Sequence, residues 1–340
     1  RHVAHDSTTG AGRVTRARRA VERRTLGTSG IEVSRLALGT MTFGTAMAPI
    51  SHVEARTAHA LVERAIAAGV NLVDTADSYG DGESEQILAP VLARHPEDLL
   101  VSTKVGRATS HERPLARESL IAEVEASLRR LGRDRIDILT LHRPDRRTSI
   151  EETFDALGEL VERGLVRTVG VSNWTAGETA YAVGRQRALG RAEPTSAQVY
   201  WSLVGREVEH DIVPLCQRLD LGIVVCSPLA GGYLADRRDG RQAETSFPPV
   251  NRIAGARVLA SLRFVAKEMG SSPAAVALAW LLRRPEVSTV LVGASSQKQL
   301  DANLAASRLD LEDDLAADLD DVSAINPIYP HWWDEAMGLD

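Results

Sequence analysis

Four side chains with complementary acid–base chemistry each follow a short apolar run in this 340-residue chain. Asp74 and Tyr79 lie in D-T-A-D-S-Y-G, just past the run Asn71–Val73; Lys104 follows the run Leu99–Val101; His142 follows the run Ile136–Leu141. Brought to one place, a carboxylate, a phenol, an amine and an imidazole can deliver a proton to a carbonyl oxygen. A phenol is a poor donor at neutral pH while its pKa stays near 10. A cation within about 4–6 Å favours the phenolate and lowers that value. Lys104 is expected to supply the cation, Asp74 to hold Lys104 as an ion pair, and His142 to hydrogen-bond the substrate oxygen or share its proton. The bland alternative is a buried Asp–Lys bridge with an incidental histidine.

Lysine usage singles out the same place. Of 40 basic residues only Lys104, Lys267 and Lys298 are lysine; the rest are arginine. An ammonium is a compact point charge suited to perturbing one neighbouring phenol, whereas a guanidinium is planar and delocalised.

The elements that must carry these residues are legible from periodicity. Strands are expected near 36–39, 71–73, 99–104, 136–141, 166–171, 196–200, 222–226 and 287–292, after a hairpin in R-T-L-G-T-S-G-I-E-V-S-R that turns at Thr28-Ser29-Gly30. Segments of helical period lie between most of them. Leu120, Val124, Leu128 and Leu131 form one stripe, ended by Gly132. Ser149 with Glu152 reads as a capping box, with Gly164 as the stop. Ser272-Pro273 reads as an N-cap followed by proline at the first helical position. Eight strand–helix units predict a (β/α)8 barrel with an N-terminal hairpin and extra C-terminal helices, its reactive groups at the C-terminal ends of the strands. A doubly wound sheet is disfavoured because L-G-T-M-T-F-G, after the first barrel strand, lacks the G-x-G-x-x-G spacing.

Composition narrows the class. The chain is 44% apolar and 25% charged, within the range of globular proteins, and no run nears the roughly 18 apolar residues of a membrane span. Residues 1–24 hold seven arginines against Asp6 and Glu22, so the remainder carries −11 of an overall −6. Residues 1–24 read as a basic extension and 25–340 as a single domain. Arg18-Arg19 is not followed by an apolar stretch, so it is not a twin-arginine signal. An acidic body argues against nucleic acid as a ligand. Cys216 and Cys226 suggest neither a disulfide framework nor a metal site, and a cytoplasmic location is the expectation. Oligomeric state is not legible.

The segments D-T-A-D-S-Y-G-D-G-E-S-E-Q-I-L, V-S-T-K-V-G, L-H-R-P-D, G-V-S-N-W, S-P-L-A-G-G and G-A-S-S-Q-K-Q-L-D-A-N-L occur in this order. Together they resemble the aldo-keto reductases, from about Thr25 to the C-terminus. The resemblance implies a (β/α)8 barrel, a nicotinamide cofactor (usually NADPH) held without a Rossmann domain, and reduction of aldehydes or ketones. It implies that Asp74, Tyr79, Lys104 and His142 are the catalytic tetrad, with Tyr79 as general acid. By the same matching, Thr40 and Met41 belong to the first cofactor loop, beside Asp74. Ser172, Asn173 and Gln198 would hold the nicotinamide amide. Ser227, Pro228, Leu229 and Gly231 would lie along the diphosphate. Arg237 falls where many relatives place a phosphate-binding lysine, and Gly293, Ser295, Gln299 and Asn303 would grip the adenosine end. The long gap after the seventh barrel strand would house a loop over the dinucleotide.

Two departures from the pattern matter. Relatives carry Tyr or Trp just before S-P-L, stacking on the nicotinamide; here that position is Cys226. Relatives often carry Arg or Lys where Ser295 stands. NADPH is still the expected cofactor, with Lys298 or a loop arginine as substitute for the missing charge, and NADH is not excluded. Phe43, Trp174 and Trp201 are expected to wall an apolar substrate pocket, alongside a C-terminal Trp332-Trp333 pair. The competing reading is a nicotinamide-binding regulatory subunit with little turnover, as in the potassium-channel beta subunits of the same family. The particular carbonyl substrate is not identified by these residues.

Overall fold

The structure is a computed structural model and describes residues 21–46, 50–107, 112–237 and 241–338. Most of the basic extension, residues 1–20, lies outside the described residues. The fold itself begins before Thr25, because Val21 is buried with its N–H on Ala68 O, and Arg23 already pairs with Ser34. The expected hairpin consists of β1 (Arg23–Thr25) and β2 (Glu32–Ser34), joined by a 3₁₀ turn.

Eight parallel strands follow, β3 (Leu36–Gly39), β4 (Leu72–Asp74), β5 (Leu100–Val105), β6 (Ile136–Leu141), β7 (Val166–Ser172), β8 (Pro194–Tyr200), β9 (Gly222–Cys226) and β10 (Val287–Val292), and β10 pairs with β3 to close a barrel. Between them run α1 (Ala55–Ile66), α2 (Glu83–Arg94), α3 (Arg117–Leu131), α4 (Ile150–Glu162), α5 (Ala176–Leu189) and α6 (Ile212–Leu219). The long gap before β10 is mostly helix: α7 (Arg241–Thr245), α8 (Arg252–Glu268) and α9 (Pro273–Leu282). The stretch left for the expected covering loop is therefore the one between β9 and α8, in which residues 238–240 lie outside the described residues. After β10 come α10 (Gln297–Ala305), α11 (Asp313–Ser323) and α12 (His331–Met337). Among the described residues no helix is long and apolar enough to cross a membrane.

Local signals explain several boundaries. Gly132 ends α3 in the left-handed region at φ 62°, and Ser272 caps α9 by accepting from Ala275 N. Ser149 accepts from Glu152 N, yet no reciprocal box forms, because the Glu152 carboxylate turns to Arg113. The reciprocal box sits at Thr175 and Glu178 instead, at the head of α5.

Alternate strand residues face opposite sides, and this sorts the barrel into a dry floor and a polar mouth. Ala37, Leu72, Ile138, Val224 and Leu291 fill the interior floor together with Leu26, Ile31 and Val33 of the hairpin. One register step further up, Asp74 pairs opposite Ser102 and Lys104 opposite Thr140. The opposite faces of the strands pack against the helices through Val73, Val101, Leu139 and Val171. Burying the three hairpin side chains stabilises the closed floor by roughly 1.5–3 kcal/mol each.

The hairpin approaches the barrel so closely that Gly27 is required. A Cβ there, at φ 51°, would lie 2.2 Å from Thr195 O and 2.5 Å from Gly222 N. Gly30 has φ 67° but open space around it. Urea unfolding is expected to show Gly27→Ala costing about 2–4 kcal/mol and Gly30→Ala only about 1–2, the backbone penalty alone. Equal losses at both positions would contradict the close approach.

Candidate active site

Asp74, Tyr79, Lys104 and His142 meet at the C-terminal mouth of the barrel, each less than a tenth exposed. Register does most of the positioning. Asp74 ends β4 beside Ser102 of β5, so Lys104, two residues on, stands above it on the same face. Lys104 Nζ donates to Asp74 Oδ2 at 2.5 Å, to Thr75 O at 2.8 Å and to Tyr79 Oη at 3.2 Å. An ammonium has three N–H donors, and all three are placed. Asp74 Oδ1 accepts from Ser102 Oγ at 2.9 Å and, from across the barrel, from Gln198 Nε2 at 3.0 Å.

Burial pulls the Lys104 pKa down, but Asp74 and the Tyr79 oxygen outweigh it, so the net shift is upward. Lys104 is a cation at every physiological pH. Lys104 acts on the Tyr79 pKa in the expected direction, but the net shift in the resting site is upward. Burial raises it first, Lys104 pulls it down, and Asp74 pushes it up again, leaving it above 10. The phenol therefore keeps its proton at neutral pH. Because Tyr79 Oη accepts from Lys104, its own O–H is free to donate elsewhere.

The His142 ring stands edge-on to Tyr79 with centroids 6.1 Å apart. Its Nδ1 lies 3.5 Å from Ser78 Oγ, and its carbonyl accepts from Asn173 Nδ2 at 2.9 Å. Burial, then Lys104, Arg107 and Arg143, hold its pKa down to about 3. The imidazole is held in its neutral form, which suits the hydrogen-bonding role better than that of a charged proton donor.

Several expected cofactor groups flank this cluster. Ser172 Oγ accepts from Asn173 Nδ2, and Ser172 pairs in register with Gln198. Cys226 ends β9, half-buried, with burial pushing its thiol up to about 11. Ser227, Leu229 and Gly231 are half-buried and Pro228 is buried, in the tight turn after β9. At the far side Ser295 N and Oγ both donate to Gln299 Oε1, Asn303 Nδ2 donates to Gly293 O, and Lys298 is exposed on the first turn of α10. Thr40 is wholly buried and committed to Asp74 O and Ser84 Oγ, so its side chain joins strands rather than facing the cleft.

Two groups of expectations change. Arg237 is exposed at the end of its turn, whereas Arg241 is the arginine that enters the cleft. Arg241 Nη2 donates to Ser227 Oγ at 2.9 Å and Nη1 lies 3.5 Å from Met41 Sδ, bridging the first and seventh strand loops. Its Nε is buried without a hydrogen-bond partner. An unspecified arginine of this long loop is expected from the sequence, but no motif singles out Arg241, which opens the short helix α7. The proposed aromatic walls are also packing residues. Phe43 is wholly buried, Trp174 stands edge-on to Phe154 of α4, and Trp201 stands edge-on to Trp280 of α9 while donating to Glu209 Oε1. Trp332 and Trp333 are exposed on α12.

The residues fit a nicotinamide dinucleotide, the cofactor implied by the motif resemblance. Serine and amide groups lie beside the tetrad, and a half-buried guanidinium with an unsatisfied Nε reaches the turn after β9. No group of three or more metal-ligating side chains able to hold a metal ion occurs among the described residues.

Asp77, in the same loop as Asp74, is a buried carboxyl with neither oxygen hydrogen-bonded. Burial, then Glu123 and Glu85, push its pKa up to about 7. An acid whose folded pKa exceeds its unfolded value loses folding free energy as pH rises from the unfolded pKa through the folded one. Asp77→Asn should therefore stabilise the protein at pH 8.5 and change little at pH 4, by chemical denaturation. A variant that destabilises equally at both values would contradict this assignment.

Comparison with known proteins agrees with this geometry. A "Probable voltage-gated potassium channel subunit beta" of Oryza sativa subsp. japonica is 31% identical over 303 residues, covering 83% of this chain and 89% of the relative. A protein of the same description from Arabidopsis thaliana is 30% identical over 303 residues, with the same coverage. Residues 35–324 match the aldo/keto reductase family, and the chain belongs to that family.

Proposed function

We propose that this protein reduces an aldehyde or ketone to an alcohol, with NADPH as the preferred cofactor and Tyr79 as the general acid. The observation that carries the reading is the Lys104–Tyr79 contact at 3.2 Å, backed by Asp74. A bound nicotinamide supplies the hydride to the carbonyl carbon. Tyr79 gives its proton to the carbonyl oxygen, and Lys104 stabilises the phenolate left behind without moving. The resting pKa above 10 keeps the acid loaded, while the adjacent ammonium lowers the cost of the charge formed in the transition state. Neutral His142 orients the carbonyl by a hydrogen bond. Ser172, Asn173 and Gln198 would hold the nicotinamide amide, and Arg241 with Ser227 would hold the diphosphate.

A second reading is a nicotinamide-binding regulatory subunit with little turnover; that two relatives are described as potassium-channel beta subunits supports the regulatory part of it. Cys226, in place of a stacking aromatic, favours it modestly, since a thiol offers no aromatic face.

Three outcomes follow from the reductase reading. Tyr79→Phe should bind NADPH within about twofold of the parent but lose roughly 10²–10⁴-fold in turnover, the usual contribution of a positioned acid. Full activity in Tyr79→Phe across a broad aldehyde panel, or no carbonyl-dependent loss of NADPH absorbance in the parent, would rule the reading out. The kcat profile should show no inflection between pH 5 and 8, because the His142 pKa is held down to about 3; a clear step near 6.5 would contradict a neutral imidazole. Arg241→Gln should weaken NADPH binding on the order of tenfold in a fluorescence titration, since charge-assisted bonds are the strong ones. Unchanged affinity would remove Arg241 from the diphosphate site.

A further inference from the structure

The mouth of the barrel carries positive charge that the reaction itself does not use. Val105 and Leu141 pair in register, and His142 N donates to Val105 O at 2.8 Å, so β5 and β6 leave the barrel side by side. Two residues beyond each of those paired positions stand Arg107 and Arg143, both exposed. Neither forms an ion pair with another described residue. Their charge is felt at the His142 ring, alongside that of Lys104. Apart from the buried Asp77, three carboxylates of these loops are engaged elsewhere. Asp74 is taken by Lys104, Asp145 accepts from Thr148 and Leu115 N, and Glu112 pairs with Arg147.

A chain that is acidic overall thus presents two exposed guanidiniums, neither ion-paired with a described residue, just past the strands that carry Lys104 and lead to His142. Planar guanidinium forks match carboxylate and phosphate oxygens, and a cationic cleft raises the local concentration of anions. The aromatic side chains that could have made this rim apolar are turned into the helix layer. We infer that the substrate is a carbonyl compound with an anionic end group, a carboxylate or a phosphate ester, held by Arg107 and Arg143 while its carbonyl faces Tyr79 and His142. This rests on the reductase reading and names its substrate class.

The test pairs charged and neutral aldehydes of matched size: 4-oxobutanoate with butanal, and glyceraldehyde 3-phosphate with glyceraldehyde. With NADPH, the charged member of at least one pair should have a kcat/KM higher on the order of tenfold at low ionic strength, and the gap should shrink as salt is added. In the R107Q/R143Q double variant the gap should collapse while the neutral aldehydes stay within about twofold, as expected when only charge-assisted contacts are removed. Neutral aldehydes preferred over both charged partners, or a double variant that slows charged and neutral substrates alike, would overturn the inference. If no aldehyde is consumed, glycerol 3-phosphate is titrated onto both proteins by calorimetry. Binding to the parent that is lost in the double variant keeps the anion site and removes only the reductase reading. No binding to the parent, or equal binding to both, overturns the anion site as well.

Discussion

A single ammonium buried at the barrel mouth constrains the rest of the site. Lys104 is 1% exposed, a location that disfavours charge unless every N–H has a partner. The fold provides three: a carboxylate, a backbone carbonyl and a phenol oxygen. The carboxylate is itself immobilised by Ser102 and by Gln198, whose β8 lies on the far side of the closed sheet. Removing one member of such a buried pair typically costs about 3–5 kcal/mol, because the other charge is left uncompensated. Position and charge state are thus locked together, and the phenol receives its hydrogen bond from a donor that cannot drift.

That lock divides the labour among the ionisable groups. Lys104 stays charged, Tyr79 stays protonated, and His142 stays neutral, each for an identifiable reason of burial and neighbours. Keeping an acid loaded at rest while placing a fixed cation beside its conjugate base is preorganisation: the favourable interaction grows only as the proton leaves. Arginines outside this core then sort by neighbour. Arg241 bridges the loops after the first and seventh barrel strands, and Arg107 with Arg143 stands exposed just past β5 and β6.

The barrel and its reactive rim were legible in the sequence because both follow from short-range rules. Apolar runs such as Ile136–Leu141 and Val287–Val292 coincide with strands residue for residue, and a chemical residue just past a strand must lie at its C-terminal end. What escaped the sequence depends on long-range packing. Trp174 and Trp201 follow strands, as pocket residues would, yet apolar partners on α4 and α9 draw their rings into the helix layer. Glu152 has the spacing of a capping box, but Arg113 competes for its carboxylate and wins. The sign of the Tyr79 shift was missed for a related reason. A pairwise argument with Lys104 omits the burial of the phenol and the opposing charge of Asp74.

Rarity of lysine makes the central interaction directly observable. Protein labelled with ¹³C,¹⁵N-lysine has three side-chain signals, from Lys104, Lys267 and Lys298, assignable with Lys267→Arg and Lys298→Arg variants. Followed by NMR as pH is raised, the Lys104 signal should remain that of an ammonium beyond the ordinary lysine value of about 10.4, because Asp74 and Tyr79 hold its proton. A Lys104 signal that loses its proton at or below that value would mean that Asp74 does not hold a buried cation against Tyr79, and the account of the site would fail.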